Sequence, residues 1–102
     1  MPDHLALPAP WWDLRNGGAA EQRQITALTD ELIRETSPGH PLYEAAFVVA
    51  GRSQARDDVL LEVGDRWALV HVTWSGKAET PPRPRCVILA TARDVDRALA
   101  AG

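Results

Sequence analysis

The sequence predicts an α+β fold: a four-stranded antiparallel meander sheet with an N-terminal helix and a short C-terminal helix packed on one face. Three observations predict it. Apolar residues recur at helical spacing in two places, Ile25-Leu28-Leu32 and Val95-Ala98-Leu99. Between them lie four apolar runs of strand length, two of them separated only by Gly64-Asp65. The connections are short, so strands adjacent in sequence pair most economically as antiparallel neighbours.

Residues 1–18 read as an irregular arm, because Pro2, Pro8 and Pro10 block regular structure and Asn16-Gly17-Gly18 is a strong breaker. Residues 19–102 form the single α+β domain. Its first helix spans Ala19 to about Thr36 and stops where Ser37-Pro38-Gly39-His40-Pro41 places a proline and a glycine directly after it. A first strand follows over Tyr43–Gly51. Asp58–Val63 and Arg66–Ser75 are the hairpin, and Cys86–Ala90 is the fourth strand after the stiff Thr80-Pro81-Pro82-Arg83-Pro84-Arg85 connection. Thr91 with Asp94 three residues on makes a capping-box variant that opens the last helix.

The hairpin carries the most information. Counting outward from Gly64-Asp65 sets Val63 opposite Arg66, Leu61 opposite Ala68, Val59 opposite Val70 and Asp58 opposite His71. One face then holds Val59, Leu61, Val63, Ala68, Val70, Val72 and Trp74, the set expected under the helices. The other holds Asp58, Leu60, Glu62, Trp67, Leu69, His71, Thr73 and Ser75, and is left open. Leu60, Trp67 and Leu69 would form a contiguous apolar patch there, one that calls for a covering partner, the Trp11-Trp12 arm or a second copy.

Composition narrows the function classes. At 102 residues, 45% hydrophobic and 25% charged, the chain has the makeup of one globular domain. A formal net charge of −3 argues against nucleic acid and anionic membranes as partners. The single cysteine, Cys86, cannot form an internal disulfide, and no apolar run reaches the length of a membrane span, so a cytoplasmic setting is expected. The few histidines and the lone cysteine show no metal-site spacing, so no metal and no cofactor is expected.

Trp12-Asp13-Leu14, Ser37-Pro38-Gly39-His40-Pro41-Leu42-Tyr43, Asp57-Asp58-Val59-Leu60 and above all Val70-His71-Val72-Thr73-Trp74-Ser75-Gly76-Lys77 resemble small uncharacterised bacterial proteins. The resemblance covers most of the chain after residue 11. It implies a bacterial, cytosolic setting and transfers no catalytic residue.

Two function classes follow from the residues. The first is a protein-interaction module of inhibitor, immunity or adaptor type, or a homo-oligomer, whose partner surface is Trp11 and Trp12 with Leu60, Trp67 and Leu69. The second is a small hydrolase or anionic-ligand-binding protein centred on His71. There Asp58 would orient the imidazole, Thr73 is the nearest hydroxyl, and Ser75, Lys77, Arg83 and Arg85 supply donors for an anion. Each has a plainer structural reading: Asp58–His71 as a cross-strand pair fixing register, Trp74 in the core, Lys77 in solvent, and His40 as a turn residue capping the helix end. Glu62 and His71 fall about 13 Å apart along the hairpin, too far for paired acid/base work.

Overall fold

The computed structural model describes residues 6–53 and 55–101. The first five residues of the arm, Pro2 and His4 among them, lie outside the described residues. The element order is β1 (Trp11–Asp13), α1 (Ala19–Glu35), β2 (Val48–Ser53), β3 (Asp58–Val63), β4 (Arg66–His71), β5 (Cys86–Leu89) and α2 (Ala92–Ala101). The strands form one antiparallel sheet in the order β1-β2-β3-β4-β5.

The sheet therefore has five strands rather than four. The fifth comes from the arm, where Trp11, Trp12 and Asp13 pair with Ser53, Arg52 and Gly51. Trp11 N–H donates to the Pro8 carbonyl, so the prolines shape the turn that leads into β1. The arm expected to be irregular is thus in part an edge strand. The β3–β4 register matches the expected pairing throughout, from Val63↔Arg66 to Asp58↔His71. Of the two turn residues only Gly64 takes a positive φ, at 62°, which suits glycine at the first position of a tight hairpin turn.

The helices do not share a face. On one side Leu28 and Leu32 of α1 pack with Leu14, Leu42, Val49, Val59, Leu61 and Val70. On the other, Val95 and Leu99 of α2 pack with Ala50, Leu60 and Trp67, joined at the margin by Leu7, Trp11 and Leu69. The sheet is sandwiched, and the face expected to be open is covered: Leu60 is 0% exposed and Trp67 2%. The reason is legible in the hairpin itself, since a face bearing Leu60, Trp67 and Leu69 is itself a core face. Of that patch only Leu69 stays half-buried.

Strand boundaries also move, most of all at the start of β2 and the end of β4. β2 begins at Val48, five residues after the expected start, because Pro41–Glu44 form turns in which Tyr43 N–H donates to the His40 carbonyl and Glu44 takes φ 59°. β4 ends at His71 rather than Ser75. Beyond it the backbone turns to α1, Trp74 takes φ 57°, and the Trp74 ring is 42% exposed instead of in the core. Thr91 caps α2 as expected, its hydroxyl accepting the Asp94 N–H at 3.1 Å.

Candidate functional site

Register places five side chains in one row across the sheet. Trp11 lies opposite Ser53, Ser53 opposite Asp58, and Asp58 opposite His71. His71 N–H donates to the Arg85 carbonyl, which extends the row to Arg85 just ahead of β5. Facing partners in an antiparallel sheet share a face, so Trp11, Ser53, Asp58, His71 and Arg85 all stand on the α2 side. Leu99 closes the α2 core on this face and also lines the cavity at the Trp11 end of the row, so the row runs along the margin of the core that α2 covers.

Asp58 and His71 meet as the pairing requires, with Nδ1 of His71 3.0 Å from Oδ1 of Asp58. A carboxylate only accepts, so Nδ1 carries the proton. Nε2 is left for a ligand, and it has no partner among the described residues. The imidazole is half-exposed, its side chain 47% accessible.

Beside His71 a pocket of about 420 Å³ is lined by His71, Thr73, Pro82, Arg83 and Arg85. Neither arginine has an ion-pair partner among the described residues. Their positions depend on His40. Its Nδ1 accepts the Leu42 N–H at 3.0 Å, so Nε2 is the protonated nitrogen and donates to the Pro84 carbonyl at 2.7 Å. His40 is 4% exposed and clamps the residue between Arg83 and Arg85, rather than capping the helix end. Replacing His40 with alanine leaves a buried N–H and a buried carbonyl unpaired, a loss of about 2–4 kcal/mol expected in denaturant unfolding.

Thr73 is positioned from the opposite face. Its N–H donates to Oε1 of Glu35 at 3.2 Å, Trp74 N–H donates to Oε2 at 2.8 Å, and Gly76 N–H donates to Oε2 of Glu31 at 2.9 Å. Two buried glutamates on α1 thus replace the strand ladder that β4 loses after His71. Burial pushes the Glu35 carboxyl up, and its hydrogen bond to Glu31 adds to this. That same hydrogen bond, with help from Gly76 and Arg34, holds Glu31 below its ordinary value. The two carboxyls titrate as a coupled pair, with Glu35 shifted up and Glu31 down.

The structure gathers His71, Asp58, Thr73, Arg83 and Arg85 from the expected set and leaves others apart. Ser75 donates its hydroxyl to the Lys77 carbonyl at 3.1 Å, and neither lines the pocket. Trp11 and Trp12 point to opposite faces. Trp11 packs at the margin of the α2 core and Trp12 at that of the α1 core, where its indole N–H reaches Glu21 at 3.1 Å. Cys86 is half-buried against the α1 core, and burial pushes its thiol up.

Sequence reasoning missed Glu31 and Glu35, although the signal is present. Positions 28, 31, 32 and 35 share one helical stripe, and all four are buried. Glu79 was also missed: it accepts the Thr73 hydroxyl proton at 2.8 Å. That bond matters chemically, because Thr73 is engaged by a carboxylate and not by the imidazole, so His71 and Thr73 do not form a base–nucleophile pair. No helix among the described residues is long and apolar enough to cross a membrane. No known protein family, curated protein or solved structure matches this chain.

Proposed function

We propose that this protein binds a small anionic ligand of phosphate type in the pocket beside His71. Arg83 and Arg85 supply charge, His71 Nε2 accepts from a protonated oxygen of the ligand, and Asp58 positions the imidazole. The observation that carries the reading is that an oriented imidazole and two arginines, neither with an ion-pair partner among the described residues, line one concavity of about 420 Å³. A net charge of −3 makes this a local exception to the chain's charge, which favours a compact anion over an extended polyanion such as nucleic acid.

Binding is favoured over turnover because the Thr73 hydroxyl is held by Glu79. The interaction-module reading drew on an apolar patch, and burial of Leu60 and Trp67 removes most of it.

Calorimetric titration with inorganic pyrophosphate at low salt tests the proposal. Arg85→Ala removes a charge-assisted contact of about 1.5–3 kcal/mol and is expected to weaken binding by at least about 10-fold. Arg85 is exposed, so the fold is expected to be unaffected. Added salt should weaken binding further, as for any exposed ionic contact. Wild-type affinity in an Arg83→Ala/Arg85→Ala protein would refute the reading.

A further inference from the structure

The other end of the same polar row opens into a second cavity, of about 300 Å³, on the far side of Asp58 from His71. Its apolar wall is the Trp11 ring with Leu69 and Leu99, and its polar lining is Ser53, Arg56 and Asp58.

Ser53 is 2% exposed and lies in the cavity wall beside Asp58. Two groups of that lining have hydrogen-bonding capacity to spare among the described residues. Arg56 has no carboxylate partner among the described residues. Asp58 engages His71 through Oδ1 alone, which leaves Oδ2 with full accepting capacity.

We propose that this cavity is a binding site for a free apolar α-amino acid. The ligand carboxylate pairs with Arg56, its ammonium is received by Asp58 Oδ2 and the Ser53 hydroxyl, and its side chain lies against Trp11, Leu69 and Leu99. Only a zwitterion carrying an apolar group satisfies the whole lining. A simple fatty acid would leave Asp58 facing hydrocarbon, and an amine would leave Arg56 unpaired. The volume, at the small end of ordinary ligand pockets, leaves room for a ligand of leucine size. This site does not depend on anion binding beside His71, although the two share the Asp58–His71 pair and occupancy of one is felt at the other.

The test is titration with L-leucine followed by calorimetry and by indole emission, with Trp11→Phe to identify the reporting ring. Saturable binding is expected, weakened at least about 10-fold by Arg56→Ala, a change in an exposed loop residue that leaves the fold intact. N-acetyl-L-leucine, L-leucinamide and glycine, which lack in turn the ammonium, the carboxylate and the apolar group, are each expected to bind at least about 10-fold more weakly than L-leucine. Absence of saturable L-leucine binding at about 10 mM, or equal binding of N-acetyl-L-leucine, would overturn the proposal. Unchanged affinity in Arg56→Ala would do the same. Pyrophosphate titration of the same samples reports on the other pocket, so failure of one site is distinguishable from failure of the other.

Discussion

Glu35→Ala is expected to lower the unfolding free energy by about 2–3 kcal/mol, because it removes the buried acceptor of two part-buried backbone donors. Thr73 N–H and Trp74 N–H both terminate on the Glu35 carboxyl, which is 0% exposed. Trp74 is also held at φ 57°, a conformation a bulky residue adopts only under constraint, and Glu35 supplies that constraint. Loss of the anchor should free residues 73–79 and rapidly exchange their amides, which hydrogen exchange would register segment by segment. Glu35→Gln keeps one acceptor and is expected to cost less.

The same pair gives the stability a defined pH dependence. The Glu35 carboxyl is raised from its ordinary value of 4.5, so the protonated form is favoured by folding. Its contribution is complete below that ordinary value and is lost as pH rises through the folded value. Glu31 is lowered from 4.5, so its contribution is present above the ordinary value and is lost as pH falls through the folded one. The two slopes have opposite sign, and the pair's joint contribution peaks near the ordinary glutamate range. Urea unfolding across pH should therefore show a decline above that range in the wild type that is absent in Glu35→Gln.

Trp67→Ala is the second large effect, a loss of about 3–5 kcal/mol from emptying a core site, against a total of about 5–15 for a domain of this class. Trp67 is 2% exposed and packs with Leu60, Ala50, Val95 and Leu99. Its removal undermines the seat of α2, so amides of residues 92–101 should lose protection before those of α1. Trp74→Ala provides the contrast. That ring is 42% exposed, with the Arg52 guanidinium 5.8 Å from its centroid, and its truncation should cost about 1 kcal/mol or less. Had both helices covered the Val59–Val70 face, the two tryptophans would exchange roles.

The hairpin was legible because period-two alternation and a glycine turn fix register without reference to the rest of the chain. Asp58 opposite His71 followed from counting alone. The helix limits and the Thr91 cap were legible for the same local reason. What local signals do not carry is where a helix goes after it forms. The α2 stripe of Val95 and Leu99 is equally compatible with either sheet face, and the choice is made by the unpaired apolar set at Leu60, Trp67 and Leu69. β1 was hidden because three residues amid prolines give no periodicity, and its pairing with β2 is set by tertiary contact.

The site was half legible on the same grounds. Asp58 and His71 share a register position that the sequence specifies. Arg83 reaches them through the buried His40 clamp, and Arg85 through a backbone bond to His71, both interactions between distant segments. Ser75 and Lys77 were drawn in by a strand that was carried too far. It stops at His71 because Glu31 and Glu35 capture the backbone that follows.

The most direct test of the central claim, an anion pocket at the His71 end of the polar row, is a two-dimensional NMR titration with inorganic phosphate that follows imidazole and guanidinium side-chain resonances. Saturable shifts of His71 Nε2 and of the Arg83 and Arg85 side chains, with the buried His40 ring unmoved, are the predicted result. Shifts spread evenly over the exposed arginines, Arg23 and Arg66 included, with no saturation at His71, would contradict it.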